Sequence, residues 1–289
     1  KKKKPKEFVS LLNKKKIWYD LGVEKFTAGN FEGAIAAFDE ALKLKPDYWQ
    51  AWQLRGLTLY HLGRHEEALA SFDKVLEFKS NDYKTWFCRG LILGELERCV
   101  EALASFNKTL EFKPDDYQVW YYKGSDLNHL GRYEEALASF DKALEFKPDF
   151  YQVWNLRGNA LLDLGRYEEA LASYDTAIEF KLDYYQAWSN RGLALVDLGR
   201  HEEGLVFLDT AIEFKPDYYQ AWHNRGNALS NLGEYADALI SYNTAIRFNP
   251  DDYQVWNNQG YALSNLGRHE EAIASFDTAI KFKPDDYQT

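Results

Sequence analysis

The sequence predicts an all-α solenoid of eight stacked helix-turn-helix units, on three observations. A 34-residue stretch, Tyr117–Phe150, recurs on either side of itself with the same or a similar residue at almost every place. Within it, Trp120, Gly124, Leu127 and Leu130 follow a three-and-four spacing, and so do Tyr133, Ala136, Leu137, Phe140, Ala143 and Leu144 after a break at Gly131. A helix pair of this size cannot bury its apolar stripe alone, so successive copies must stack.

Lys1–Lys14 lies outside the period. Pro5 interrupts it, and Phe8, Val9, Leu11 and Leu12 suffice only for a short apolar helix, so residues 1–14 read as a basic linker or a partial cap. The lysine run is a candidate targeting or anionic-surface contact. The copies then occupy 15–48, 49–82, 83–116, 117–150, 151–184, 185–218, 219–252 and 253–286, and 287–289 begin a truncated further unit. In most, the glycine after the first helix suits a left-handed turn residue, and the proline after the second stops it. Small residues such as Gly124 and Ala136 mark the closest helix approaches.

Two copies depart from the pattern. In 83–116, Glu97 replaces the turn glycine, Ser80 the preceding proline, and Gly94 interrupts the first helix, so a different bend is expected. In 185–218, Gly204 replaces the small alanine and Val206, Phe207 and Leu208 replace an Ala-Ser-aromatic run, which puts Phe207 on an outward, exposed position.

Composition narrows the function classes. The chain of 289 residues has 16% aromatics, two cysteines, no methionine and a formal charge of −10. Its first sixteen residues hold eight Lys and one Glu, +7, which leaves −17 for the body. That field repels phosphate backbones and argues against a nucleic-acid groove. No apolar run approaches a membrane span and no secretory signal follows the lysines, so the reading is soluble and cytoplasmic, without a membrane partner. Two cysteines form neither a disulfide framework nor a paired-cysteine metal site, which suits a reducing compartment. The missing methionine, position 1 included, implies a chain processed or cut from something longer.

No catalytic or metal constellation is expected, and no cofactor. His65, His201 and His269 stand where Tyr133 and Tyr167 stand in other copies; His61 and His129 share another place; His223 stands alone. Cys88 faces the predicted groove and Cys99 replaces an aromatic. Glutamate pairs such as Glu134–Glu135 and Glu168–Glu169 open second helices, where the dipole favours them. They sit in like environments, unsuited to acid and base work.

Trp18, Trp52, Trp86, Trp120, Trp154, Trp188, Trp222 and Trp256 are all 34 apart, as are Gly22, Gly56, Gly90, Gly124, Gly158, Gly192, Gly226 and Gly260. Ala34, Ala68, Ala102, Ala136, Ala170, Ala238 and Ala272 keep the same step, as do Pro46, Pro114, Pro148, Pro216, Pro250 and Pro284. From residue 15 to 286 the chain resembles the tetratricopeptide repeat family. The resemblance implies a right-handed superhelix whose concave groove is lined by first helices. The leucine of the family's Leu-Gly pair is basic in Arg55, Arg89, Lys123, Arg157, Arg191 and Arg225, read as structural residues whose stems cover aromatics and whose heads reach acids.

The groove stripe falls on the second, fifth, sixth, ninth, twelfth and thirteenth places of each first helix. Early copies put Leu54, Leu57, Tyr60, Phe87, Leu91, Tyr121 and Tyr122 there, a sticky end; later copies put Asn190, Asn224, Asn227, Asn231 and Asn258, an amide-rich end. The carboxylate clamp of some family members is missing, since the second place is Gln118, Gln152, Gln186, Gln220 or Gln254. Asn190, Asn224 and Asn258 hold the sixth place of consecutive first helices and are expected to grip the main chain of an extended peptide, as a similar ladder does in some members. First helices about 10 Å apart and a strand rise of about 3.3 Å would bring each to every third peptide residue.

The reading is a non-catalytic scaffold that binds an extended peptide or partner helix. The alternative is a rigid regulatory arm of a larger protein, with the groove filled by the same polypeptide; an enzyme is a distant third. End-on self-association through the last second helix, Glu270–Phe282, is expected because no polar cap follows it.

Overall fold

A computed structural model describes the backbone of residues 4–283 and the side chains of 14–283. The described residues form sixteen helices and no strand. The three residues 287–289 expected to begin a further unit lie outside the described stretch, as do Lys1–Lys3. Two units divide the chain, residues 1–135 and 136–289.

The first unit holds α1 (Lys4–Thr27), α2 (Phe31–Leu44), α3 (Trp49–His61), α4 (His65–Phe78), α5 (Tyr83–Glu95), α6 (Cys99–Phe112) and α7 (Tyr117–His129). The division falls within α8 (Tyr133–Phe146). The second unit continues with α9 (Tyr151–Asp163), α10 (Tyr167–Phe180), α11 (Tyr185–Asp197), α12 (His201–Phe214), α13 (Tyr219–Asn231), α14 (Tyr235–Phe248), α15 (Tyr253–Asn265) and α16 (His269–Phe282). Inside each unit consecutive helices pack in antiparallel succession, and first helices also touch first helices: α1 on α3 and α5 on α7, then α9 on α11, α11 on α13 and α13 on α15. The basic stretch is continuous with α1, and Pro5 sits in its first turn, where no backbone donor is lost.

The core of most repeats is an aromatic ring laid on a glycine. A Cβ added to Gly56 would meet Phe72 at 2.8 Å, and one on Gly226 would clash with Tyr242. Alanine at the corresponding second-helix place is fully buried, as at Ala68 and Ala238. Each tryptophan from Trp52 on donates its indole N–H to the carbonyl six residues earlier: Trp52 to Pro46 at 2.7 Å, Trp154 to Pro148 at 2.8 Å, Trp222 to Pro216 at 2.9 Å. Most second helices start on an arginine whose fork grips the glutamate three residues on, as in Arg64–Glu67 and Arg268–Glu271 at 2.7 Å, while α2 starts on Asn30 and α14 on Glu234. The charge thus stays beside the positive helix end.

The turn in 83–116 is not a different bend. Glu97 takes the left-handed conformation of the glycines it replaces, φ 58° against 72° at Gly63. Arg98 N bonds Leu93 O at 2.8 Å, as Arg64 N bonds Leu59 O at 2.9 Å, and α5 runs unbroken through Gly94. The backbone hydrogen bonds outweigh the side chain's steric cost, about 1–2 kcal/mol.

Phe207 also departs from expectation. It is half-buried, with its ring 5.6 Å from Trp188 and beneath the Arg191 guanidinium at 3.8 Å. The place of Phe207 is not outward, since other repeats bury a serine there, as at Ser173 and Ser241; Leu208 fills the position against Gly192, and Gly204 lets α12 approach α11 until a Cβ would meet a facing carbonyl at 2.9–3.0 Å. Val206 is the exposed residue of the run.

Candidate peptide-binding face

The basic residue before each first-helix glycine is structural. Arg55 stacks over Trp52 while reaching Asp39 and Ser71 at 2.7 Å; Arg157 repeats this with Trp154, Asp141 and Ser173, and Arg225 with Trp222, Asp209 and Ser241. In the last repeat Gln259 takes the place and bonds Asn243 and Ser275 at 2.7 Å.

In the first unit the apolar stripe is brought together, but as half-buried packing rather than free surface. Leu57, Tyr60 and Leu91 line a small cavity of about 60 Å³ with Phe72, Cys88 and Ile92. Leu54 packs with the core around Phe38. Phe87, Tyr122 and Tyr121 form an aromatic chain, with centroids 5.8 Å apart for the first pair and 4.8 Å for the second; of these Tyr122 is the most exposed, at 37%. Tyr60 donates its hydroxyl to Glu95 at 2.6 Å, and this bond pushes its pKa up to about 12. Burial pushes the Cys88 thiol up to about 11, so it is no ready nucleophile.

In the second unit the asparagine ladder is not a row of equals. Asn190 donates both amide hydrogens to its neighbour helix, to Asn155 at 3.0 Å and Asn159 at 3.1 Å. Asn258 does the same to His223 Nε2 at 3.0 Å and Asn227 at 2.9 Å. His223 can accept only while neutral, and burial lowers its pKa accordingly. Asn159 and Asn227 in turn accept from the buried hydroxyls of Tyr174 at 2.8 Å and Tyr242 at 3.0 Å. Asn190 and Asn258 therefore keep only a carbonyl oxygen for a ligand.

Asn224 differs because the helix before it offers no amide. Leu193 stands where Asn159 and Asn227 stand, and Ser189 where Asn155 and His223 stand. Asn224 is half-buried and has no hydrogen bond among the described residues, and the buried Ser189 Oγ has none either. Asn231 is exposed at the end of the same helix. Sequence reasoning put the three asparagines in one register and missed the partners of the first, Asn155 and Asn159. The signal was available: tyrosine replaces phenylalanine on the second helix only in the two repeats with Asn159 or Asn227. It also passed over Asp163 and Asp197, at the thirteenth place, whose pKa values are raised by desolvation.

Family comparisons bear on the repeat fold. Tetratricopeptide repeat families match residues 19–83 and 223–287, 158–199, 117–150 and 139–172. The chain belongs to the tetratricopeptide repeat family. Repeats of this family mediate protein–protein interactions. The protein prenyltransferase alpha subunit repeat also matches two short stretches, 99–125 and 201–232, each a second helix and the first helix after it. Among curated proteins nothing matches. Of solved structures, a tetratricopeptide repeat protein from Parabacteroides merdae is 16% identical, with a TM-score of 0.68 over 87% of this chain and 99% of that one. MamA protein is 22% identical, with a TM-score of 0.57 over 58% of this chain and 92% of that one. At these identities the likeness is one of fold. No described helix is long and apolar enough to cross a membrane.

Proposed function

We propose that this repeat protein is a non-catalytic scaffold that holds an extended peptide of a partner protein against its first helices. The observation that carries the reading is Asn224, a half-buried amide with both its donor and its acceptor unused, between two asparagines of the same register that are bonded internally. Its amide is reached by water and held by no neighbour, so it is free to meet a ligand, and a peptide group offers the matching acceptor and donor. The bound segment reads main chain at Asn224 and gives N–H groups to the Asn190 and Asn258 oxygens.

The test uses a random library of decapeptides with blocked termini, screened against the full chain. Enriched peptides should lose about threefold to tenfold in affinity with Asn224→Ala, the worth of one net hydrogen bond, while circular dichroism stays unchanged. Enriched peptides that bind Asn224→Ala as tightly as wild type would sink the proposal, and so would a library from which nothing is enriched.

The acidic body, −17 beyond residue 16, supports a partner that is not a nucleic acid. The two free thiols, Cys88 and Cys99, suit the reducing cytoplasm. The outer face of α16 exposes Ile273 and Ile280, which supports end-on contact with a second copy. Sedimentation that stays monomeric at high protein concentration removes that contact.

A further inference from the structure

We propose that a pocket between α11, α13 and α15 takes the guanidinium of an arginine in the bound segment, with Asp197 as its counter-ion. This rests on the peptide-binding reading and names the side chain that gives it specificity. The pocket measures about 320 Å³ and lies within the second unit. Asp197 stands in its wall, exposed to solvent, and has no hydrogen bond or ion pair with any described residue; partial desolvation raises its pKa.

The arginines of the adjoining repeats are committed elsewhere. Arg191 is held by Asp175, Arg200 by Glu203, Arg225 by Asp209 and Arg268 by Glu271, and Arg247 lies over the Phe248 ring at 4.9 Å. The pocket therefore has a carboxylate without a cation, and charge complementarity asks for one from outside.

The remaining lining says which cation. Asn258 has spent both amide hydrogens, so its oxygen is left to accept; Ser230 and Asn231 add a hydroxyl and an amide from α13. Tyr261, 59% exposed, offers a ring face at the lip. Several separated acceptors around a carboxylate match the five fixed N–H donors of a guanidinium, and the ring suits its planar face. A lysine ammonium is a compact charge with three donors and fits fewer of these groups. Within the second unit the α11–α13 side of the pocket lacks the amide bridge of its neighbours: Leu193 lines the pocket, and one turn before it Ser189, 1% exposed, has an unpartnered hydroxyl.

The same blocked decapeptide library, sequenced by position, should enrich arginine at one place. The best binder is then resynthesised with citrulline and with lysine there. Citrulline should cost about tenfold; Asp197→Asn should cost the arginine peptide about as much and leave the citrulline peptide unchanged. Binders without an enriched arginine, or an Asp197→Asn loss equal for both peptides, overturn the arginine site and leave the Asn224 reading standing. A lysine peptide that binds as well as arginine overturns the guanidinium assignment. A library that yields no binder overturns both readings together.

Discussion

Asn227 is a hub, and replacing it tests whether the amide and tyrosine networks act as one unit. Its oxygen accepts from Tyr242 at 3.0 Å and from Asn258 at 2.9 Å. At about 0.5–1.5 kcal/mol net for each bond, Asn227→Leu should cost about 1–3 kcal/mol and leave the Tyr242 hydroxyl with only the long 3.3 Å contact to Ser230. Tyr242→Phe alone loses one bond, about 1 kcal/mol. The double variant recreates the Leu57–Phe72 and Leu91–Phe106 combinations that pack in the first unit, so it should cost no more than Asn227→Leu. The expected coupling is then about 1 kcal/mol in favour of the pair. Hydrogen exchange of α13, α14 and α15 reads the local stability, which a single global transition would blur in a repeat array. Losses that add to within about 0.3–0.5 kcal/mol would refute the argument.

Two other outcomes follow from single residues. Glu97→Gly should raise stability by up to about 1 kcal/mol by removing a left-handed side chain at φ 58°; a lower urea midpoint would contradict it. His223 has a folded-state pKa below its ordinary 6.5, so the unfolded chain takes up the proton first. Exchange protection of α13–α15 should hold above that pH and fall as pH drops through it, whereas His223→Asn, which supplies the acceptor Asn155 supplies one network earlier, should flatten the profile.

The helix pairs were legible because period and spacing are properties of the chain itself. Trp120 predicts Trp154, and Gly131 predicts its own turn. What escaped is what depends on two repeats at once. Asn190 looked like a groove residue because its register pointed it there, yet its hydrogens go to Asn155 and Asn159, 35 and 31 residues back. Phe207 looked exposed because the pattern puts small polar residues there, and only the closer approach at Gly192 and Gly204 shows why it lies against Trp188. Leu193 and Ser189 are unremarkable alone; they become informative as the neighbours that give Asn224 no partner.

The indole bond to the loop carbonyl separates what the loops tolerate in kind from what they tolerate in length. Ser80 and Leu182 stand where proline usually stands, and Trp86 and Trp188 still find their carbonyls at 2.8 and 2.7 Å. A backbone oxygen is indifferent to the side chain that carries it, so this connector is free to drift in chemistry. One residue inserted between carbonyl and ring, however, would rotate the acceptor away and leave a tryptophan unanchored. The junction therefore works as a ruler: it permits rewriting and resists lengthening, which is how copies with Ser80 or Leu182 in place of proline still stay 34 apart.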